Sequence, residues 1–349
     1  MSIVDAAVHP LVPDAAYAER LPNPWRLAMN LVPGPFGKLY EADVPDVGDP
    51  AAAGDEAALA HSVLTDDVDA ALLLPRGRGL LPNPEHLAAV DRATNDWLHE
   101  QWLQPPADER WCGAIRLPVT DPVAAVAELE RLAPVERFAA VLVPLRVHEP
   151  YGADRYLPIW EAAVANDLPV FVLDDLACAA ELVRSPVGQP IHFAENDALR
   201  TLLPFVHLAS LVTSGTLGRL PGLRLVFADG GADLAAPLLW RLDKDWRSGR
   251  VEIPWVEEPP SAIAWRHAAF VAQGQDGRPD GLSPSRELAQ VSRSGEQVLY
   301  GSRRPGWDAV APEDVLAVVP PGAAERVLSG NALDRLPRLR LSEEREEHP

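Results

Sequence analysis

A chain of 349 residues with 47% hydrophobic and 23% charged side chains can bury a sizeable core and reads as an ordinary globular protein. With 51 acidic against 31 basic residues the formal net charge is −20, a field that repels nucleic acid, and no Lys/Arg stripe offsets it. The two cysteines, Cys112 and Cys178, lack CxxC spacing, which argues against a disulfide framework or a structural zinc site and leaves both as small buried hydrophobes.

No apolar run approaches the ~20 residues of a membrane span. The opening MSIVDAAVHP lacks a basic n-region and an apolar h-region. The expectation is a cytoplasmic protein with no membrane partner.

In chain order, short apolar runs predict strands at Ile3–Val8, Val68–Leu74, Cys112–Leu117, Ala139–Leu145, Pro169–Leu173, Leu223–Ala228, Ala269–Ala272 and Gln297–Tyr300. Amphipathic stretches separate them. Asp121-Pro122 supplies an N-cap and a first-turn proline, followed by Val123, Val126, Leu129 and Leu132 on one helical face. Pro158–Asn166 and Leu234–Trp246 read as helices too, the latter with a Leu238, Leu239, Leu242 stripe. Alternating βα units predict a parallel sheet, and eight of them suit a closed (β/α)8 barrel, with a doubly wound open sheet as the alternative. A single barrel domain over residues 1–340 is expected. Residues 10–65 form an insertion after strand 1 that should fold over the barrel mouth, because it is too long for a barrel connection. Gln275–Gly295 reads as a second loop, and residues 341–349 as a charged, frayed tail.

Several fragments recur in family order. These are Val-Asp-Ala-Ala-Val-His-Pro at residues 4–10, Asn95-Asp96-Trp97-Leu98, the run Leu220 to Gly231, Leu299-Tyr300-Gly301-Ser302 with Arg303 to Asp308, and Ser329-Gly330-Asn331-Ala332. Together they resemble the amidohydrolase-related family that contains aminocarboxymuconate-semialdehyde and resorcylate decarboxylases. The resemblance implies a metal-dependent-hydrolase barrel with one divalent metal at the C-terminal strand ends. It places the family's first strand-one ligand on Ala7, the second on His9, the strand-five His on Leu173, the strand-six His on Asp229 and the strand-eight Asp on Arg303, with Gly306 where a further His often follows. Ala7 and Leu173 offer no lone pair, and a permanently protonated guanidinium repels a dication. The site therefore reads as degenerate, with no metal and no cofactor expected.

The remaining polar residues at strand ends are the candidates. His9, Asp229 and Arg303 are read as catalytic, with Arg303 either holding a ligand carboxylate or pairing with Asp229 to fill the hole. Arg76, Arg146, His148, Asp174, Gln273, Arg304 and Trp307 are read as substrate-binding. For His9 the bland alternative is a satisfied structural histidine. For Asp229 it is a helix-start acceptor, and for Asp174-Asp175 a capped helix. His61, His86, His99, His192, His207 and His267 read as structural, and Gly77 and Gly79 make no phosphate loop.

Three readings stay open. The first is a metal-independent lyase, cyclase, isomerase or hydrolase acting on a small organic acid or carbonyl compound. The second is an inactive partner subunit or small-molecule binder, and the third an enzyme with an unusual metal site around His9 and Asp229. The expected partner is a small-molecule substrate, with a homodimer or a paralogous subunit as the protein partner.

Overall fold

Eight parallel strands follow one another round a barrel: β1 (Ile3–Val8), β2 (Val68–Leu73), β3 (Trp111–Arg116), β4 (Phe138–Pro144), β5 (Val170–Leu173), β6 (Leu225–Phe227), β7 (Ala268–Val271) and β8 (Val298–Leu299). The computed structural model describes residues 2–29, 54–65, 67–77, 81, 83–175, 188, 190–229, 232–272, 295–306, 309–317, 319, 322–339 and 341. The sheet order is β1 to β8 without a crossover. The seam between β8 and β1 is drawn together where Ala6 N–H donates to Tyr300 O at 2.9 Å and Arg303 N–H to Ala7 O at 2.8 Å. All eight predicted strands are present, and the open-sheet alternative is excluded by that seam.

The strands are short, and almost every residue in them is buried, because one face lines the barrel and the other meets helices. Val4, Leu72, Leu142, Phe171, Val226 and Leu299 belong to one cluster that fills the interior. Cys112 joins it, as its reading as a buried hydrophobe requires, while Cys178 lies outside the described residues.

Helix starts follow their caps. Asp121 accepts from Val123 N–H at 3.0 Å and Ala124 N–H at 3.2 Å, opening the helix Pro122–Leu132. Val123, however, faces solvent at 79% exposure, and Ala125, Leu129 and Leu132 are the buried residues. Its place in the first turn leaves it beyond the edge of the packed face. In the helix Ala232–Gly249, Leu239 is buried while Leu238 and Leu242 are half-buried.

The chain's end decides which barrel face can carry a site. Ala332, Leu336 and Leu339 join the interior cluster, Arg335 donates to His267 O and Ala268 O, and Arg338 donates to Ala133 O, Phe138 O and Asn166 O. These carbonyls precede or begin β7, β4 and β5, so the N-terminal end of the barrel is plugged. The C-terminal end is where catalytic residues of such barrels collect.

Of the 10–65 insertion, the helices Asp14–Arg20 and Glu56–Val63 pack on the barrel flank. Tyr17 Oη pairs with Thr94 Oγ1 at 2.9 Å on the helix Pro84–Trp102, and Trp111 Nε1 donates to Glu56 Oε1 at 2.7 Å. Residues 30–53, the loop 273–294 and the tail 342–349 lie outside the described residues.

Candidate functional site

Strand ends deliver the charged groups. Arg76 follows β2, Arg146 follows β4, Asp174 and Asp175 follow β5, Asp229 follows β6 and Arg303 follows β8. Arg303 adopts φ 59°, a left-handed conformation that costs a non-glycine residue about 1 kcal/mol or more. That turn points its side chain back across the barrel. Nη1 donates to Asp229 Oδ1 at 2.8 Å and to Ala228 O at 3.1 Å. Both residues are only 2% exposed.

Asp229 is engaged on its other oxygen as well, where Oδ2 accepts Asp174 N–H at 2.5 Å. Asp174 in turn takes a two-pronged contact from Arg146, Nε to Oδ1 and Nη2 to Oδ2, each 2.9 Å. A residue that sequence reasoning passed over completes the set. Arg200, in the last turn of the helix Phe193–Arg200, brings Nη1 to 3.5 Å from Asp229 Oδ1 and 3.7 Å from Asp174 Oδ2. Nothing in its local sequence separates it from an exposed helix-end arginine, because only tertiary folding carries that helix over the strand ends.

This arrangement sets the protonation states. Burial pushes Asp229 up, but Arg303, Arg200 and Arg76 outweigh it and hold the carboxyl well below its ordinary value. Asp174 moves the other way, raised by burial that Arg146 and Arg200 only partly offset. His9 is lowered to about 3, first by burial and then by the charges of Arg76 and Arg303.

A neutral His9 has a definite orientation. Nδ1 lies 3.3 Å from Leu74 O, and a carbonyl only accepts, so Nδ1 carries the proton. Nε2 is then a bare lone pair, buried and without a hydrogen-bond partner among the described residues. The bland reading of a fully satisfied histidine accounts for one ring nitrogen and not the other.

Asp174 and Asp175 spend their carboxylates on arginines rather than on a described helix start. Asp175 pairs with Arg116 and accepts Gly77 N–H at 2.9 Å. Arg304, expected in the pocket, sends its charge to Asp5 and Tyr300 instead, while its carbonyl accepts His9 N–H at 2.8 Å. His148 is exposed on the loop after β4 and is not brought to the buried group. Gln273 and Trp307, with Arg78 and Gln275, lie outside the described residues. His207 and His267 are structural as expected, with ring nitrogens at 2.7 Å from Leu145 O and Leu223 O.

The model of the family described as amidohydrolase matches residues 4–338. This chain belongs to the amidohydrolase family. Gamma-resorcylate decarboxylases of Rhodococcus jostii and a Polaromonas species are each 29% identical to it, over 205 and 168 residues. Those matches cover 53% and 44% of this chain, and it spans about half of the relatives' own lengths, 56% and 47%. Among solved structures, an amidohydrolase from Mycobacterium avium subsp. paratuberculosis superposes with TM-score 0.70 at 21% identity, covering 96% of this chain and 97% of the other. A dihydroxybenzoic acid decarboxylase from Polaromonas, with bound manganese and 2-nitroresorcinol, gives TM-score 0.66 at 16% identity, covering 97% and 98%. At such identities the likeness establishes the barrel and leaves function to the site.

The amidohydrolase resemblance implies a divalent metal, and the residues present do not fit one. At the expected ligand positions, Ala7 and Leu173 are wholly buried among apolar neighbours. Asp229 is bonded to a guanidinium and a backbone N–H, which leaves His9 Nε2 as the uncommitted donor. Among the described residues no three His, Cys, Asp or Glu side chains are grouped to hold an ion. Nor, among them, is any helix long and apolar enough to cross a membrane.

Proposed function

We propose that the barrel mouth binds a small organic acid bearing a hydroxyl and acts on it without a divalent metal, Arg76 taking the carboxylate and His9 Nε2 accepting from the hydroxyl. The observation that carries this reading is the buried Nε2 of His9, which has no partner among the described residues and is close enough to Arg76 and Asp229 to feel both charges. An orphaned acceptor in such a place costs free energy until a donor reaches it. Arg76 is half-buried, and no ion pair to it is seen among the described residues.

The two groups also work on each other. A carboxylate bound at Arg76 neutralises one of the cations that suppress His9, so the imidazole becomes a better proton acceptor when ligand is in place. Asp229, held ionised by three arginines, cannot serve as an acid. It keeps Arg303 buried and fixes the floor of the site. The relatives' names make loss of CO2 the reaction of interest: the C–C bond to the carboxylate breaks, its electron pair stays on carbon, and a proton takes the vacated position.

A specific observation favours the second reading, a small-molecule binder or partner subunit. Asp174, Asp175 and Asp229 are all engaged by arginines, which leaves His9, among these described residues, as the group free to move a proton. One experiment separates the readings. Protein purified without chelator is assayed for metal content, for binding of 2,6-dihydroxybenzoate by calorimetry, and for CO2 release with and without EDTA. Binding and turnover indifferent to EDTA support the proposal. Binding without turnover selects the binder. Stoichiometric zinc or manganese, with activity lost to EDTA and restored by the ion, overturns it.

A further inference from the structure

Arg116, at the end of β3, is among the largest fully buried side chains of the protein, and its environment is unusual. Its Nε donates to Asp91 Oδ1 at 2.7 Å on the helix Pro84–Trp102, and its Nη2 pairs with Asp175 Oδ2. Asp175 uses its other oxygen to accept Gly77 N–H from the turn after β2. Strands β2 and β5 are not neighbours, since β3 and β4 lie between them in the sheet. The contact from Asp175 to Gly77 therefore spans two intervening strands at the C-terminal end of the barrel.

The guanidinium is packed against that same turn. Any Cβ at residue 77 would fall on the Arg116 guanidinium, so glycine is required by close approach rather than by an unusual dihedral. The backbone on both sides is pinned by Asn95, which accepts Arg116 N–H at 2.8 Å and donates to Arg116 O at 2.9 Å.

Two mouth residues flank this clamp. Arg76 lies immediately before Gly77, and Asp174 immediately before Asp175. Asp174 N–H in turn donates to Asp229, so one run of buried polar contacts extends from Asp91 through Arg116 to the Arg303 pair.

We infer that Arg116 is a positioning residue for Arg76: by bridging Asp91 and Asp175 it lets Asp175 hold the β2 turn across the barrel, which sets where the Arg76 guanidinium meets a ligand carboxylate. The inference rests on the reading that Arg76 receives that carboxylate. A lysine at 116 keeps the charge but has a single nitrogen, and it cannot reproduce the two-directional fork.

The test uses full-length protein with Arg116→Lys, Gly77→Ala, Arg76→Gln and the Arg76→Gln/Arg116→Lys double variant. Gly77→Ala presses on the guanidinium without changing any charge, and serves if Arg116→Lys does not fold. Hydrogen exchange at the Gly77 amide reports the clamp, and the dissociation constant of 2,6-dihydroxybenzoate reports its consequence. The expected result is that exchange at the residue-77 amide, corrected for the intrinsic rate of the residue present, accelerates in Arg116→Lys or Gly77→Ala and probe binding weakens about tenfold. Arg76→Gln weakens binding at least as much, and the double variant is no weaker than Arg76→Gln alone. General structural damage would instead add to the loss at Arg76. Unchanged exchange at Gly77, or additive losses in the double variant, overturns the inference. Faster exchange with unaltered probe affinity in Arg76→Gln upholds the clamp and sinks the carboxylate reading instead.

Discussion

Arg303 Nη1 lies 2.8 Å from Asp229 Oδ1, with both side chains sealed from solvent. The pair stands at positions where the family resemblance places two metal ligands, and it joins β8 to β6 across the end of the barrel. Removing one partner leaves the other charge buried.

Arg303→Met takes away the 2.8 Å partner of Asp229 and leaves it the Asp174 N–H and the longer Arg200 contact at 3.5 Å. The expected loss is about 3 kcal/mol of unfolding free energy, read by urea denaturation at pH 7. Replacing both residues, Arg303→Met with Asp229→Leu, should recover most of that loss. A double variant as weak as the sum of its singles would mean that the pair is not coupled.

Asp5 offers a test of sign. Burial pushes its carboxyl up to about 6, against hydrogen bonds from Ser302 and from Ala7 N–H. The folded value lies above the ordinary ~4 of an unfolded aspartate, so the folded state binds the proton more tightly. Its contribution is present below pH ~4 and is lost as pH rises to about 6. Asp5→Asn keeps an oxygen for both backbone donors and should add about 2–3 kcal/mol at pH 8 while changing little at pH 4. Asp91, also raised to about 6 by burial, keeps part of the slope in the variant. Equal effects at the two pH values would refute the assignment.

His9 should be neutral at pH 7 and protonated on Nδ1, which ring 15N shifts report directly. Addition of 2-hydroxybenzoate should move the Nε2 resonance as its hydroxyl donates there, and benzoate should move it far less. Identical responses to the two acids would remove the hydroxyl from the proposal.

Rebuilding a donor set asks whether the side chains at the mouth are what disfavour an ion. Ala7→His, Leu173→His and Arg303→Asp together add three donors to His9 and Asp229 and remove the cation. The expected outcome is stoichiometric zinc or manganese in the triple variant, by elemental analysis, against little in the parent. A triple variant that folds and still binds no ion would show that the backbone has changed as well.

The fold was legible because its signals are local. Strand runs such as Ala139–Leu145 are apolar on both faces, and caps such as Asp121 act on the next two or three residues, so periodicity and turn chemistry located the barrel's parts with boundaries within three residues. The same reading placed His9, Asp174, Asp229 and Arg303 at strand ends and named the Arg303–Asp229 pair as one of two alternatives. It could not decide which way a side chain leaves the backbone. Arg303 and Arg304 are neighbours, yet a left-handed φ of 59° sends the first to Asp229 while the charge of the second falls on Asp5 and Tyr300. Arg200 and Arg116 were invisible for a related reason. Their partners lie 29 and 59 residues away at the nearest mouth contacts, Asp229 and Asp175, and separations of that kind become distances only once the sheet has closed. The strands and their ends were thus written locally in the chain. Which charges meet, and which ring nitrogen is left without a partner, was settled by the closed barrel.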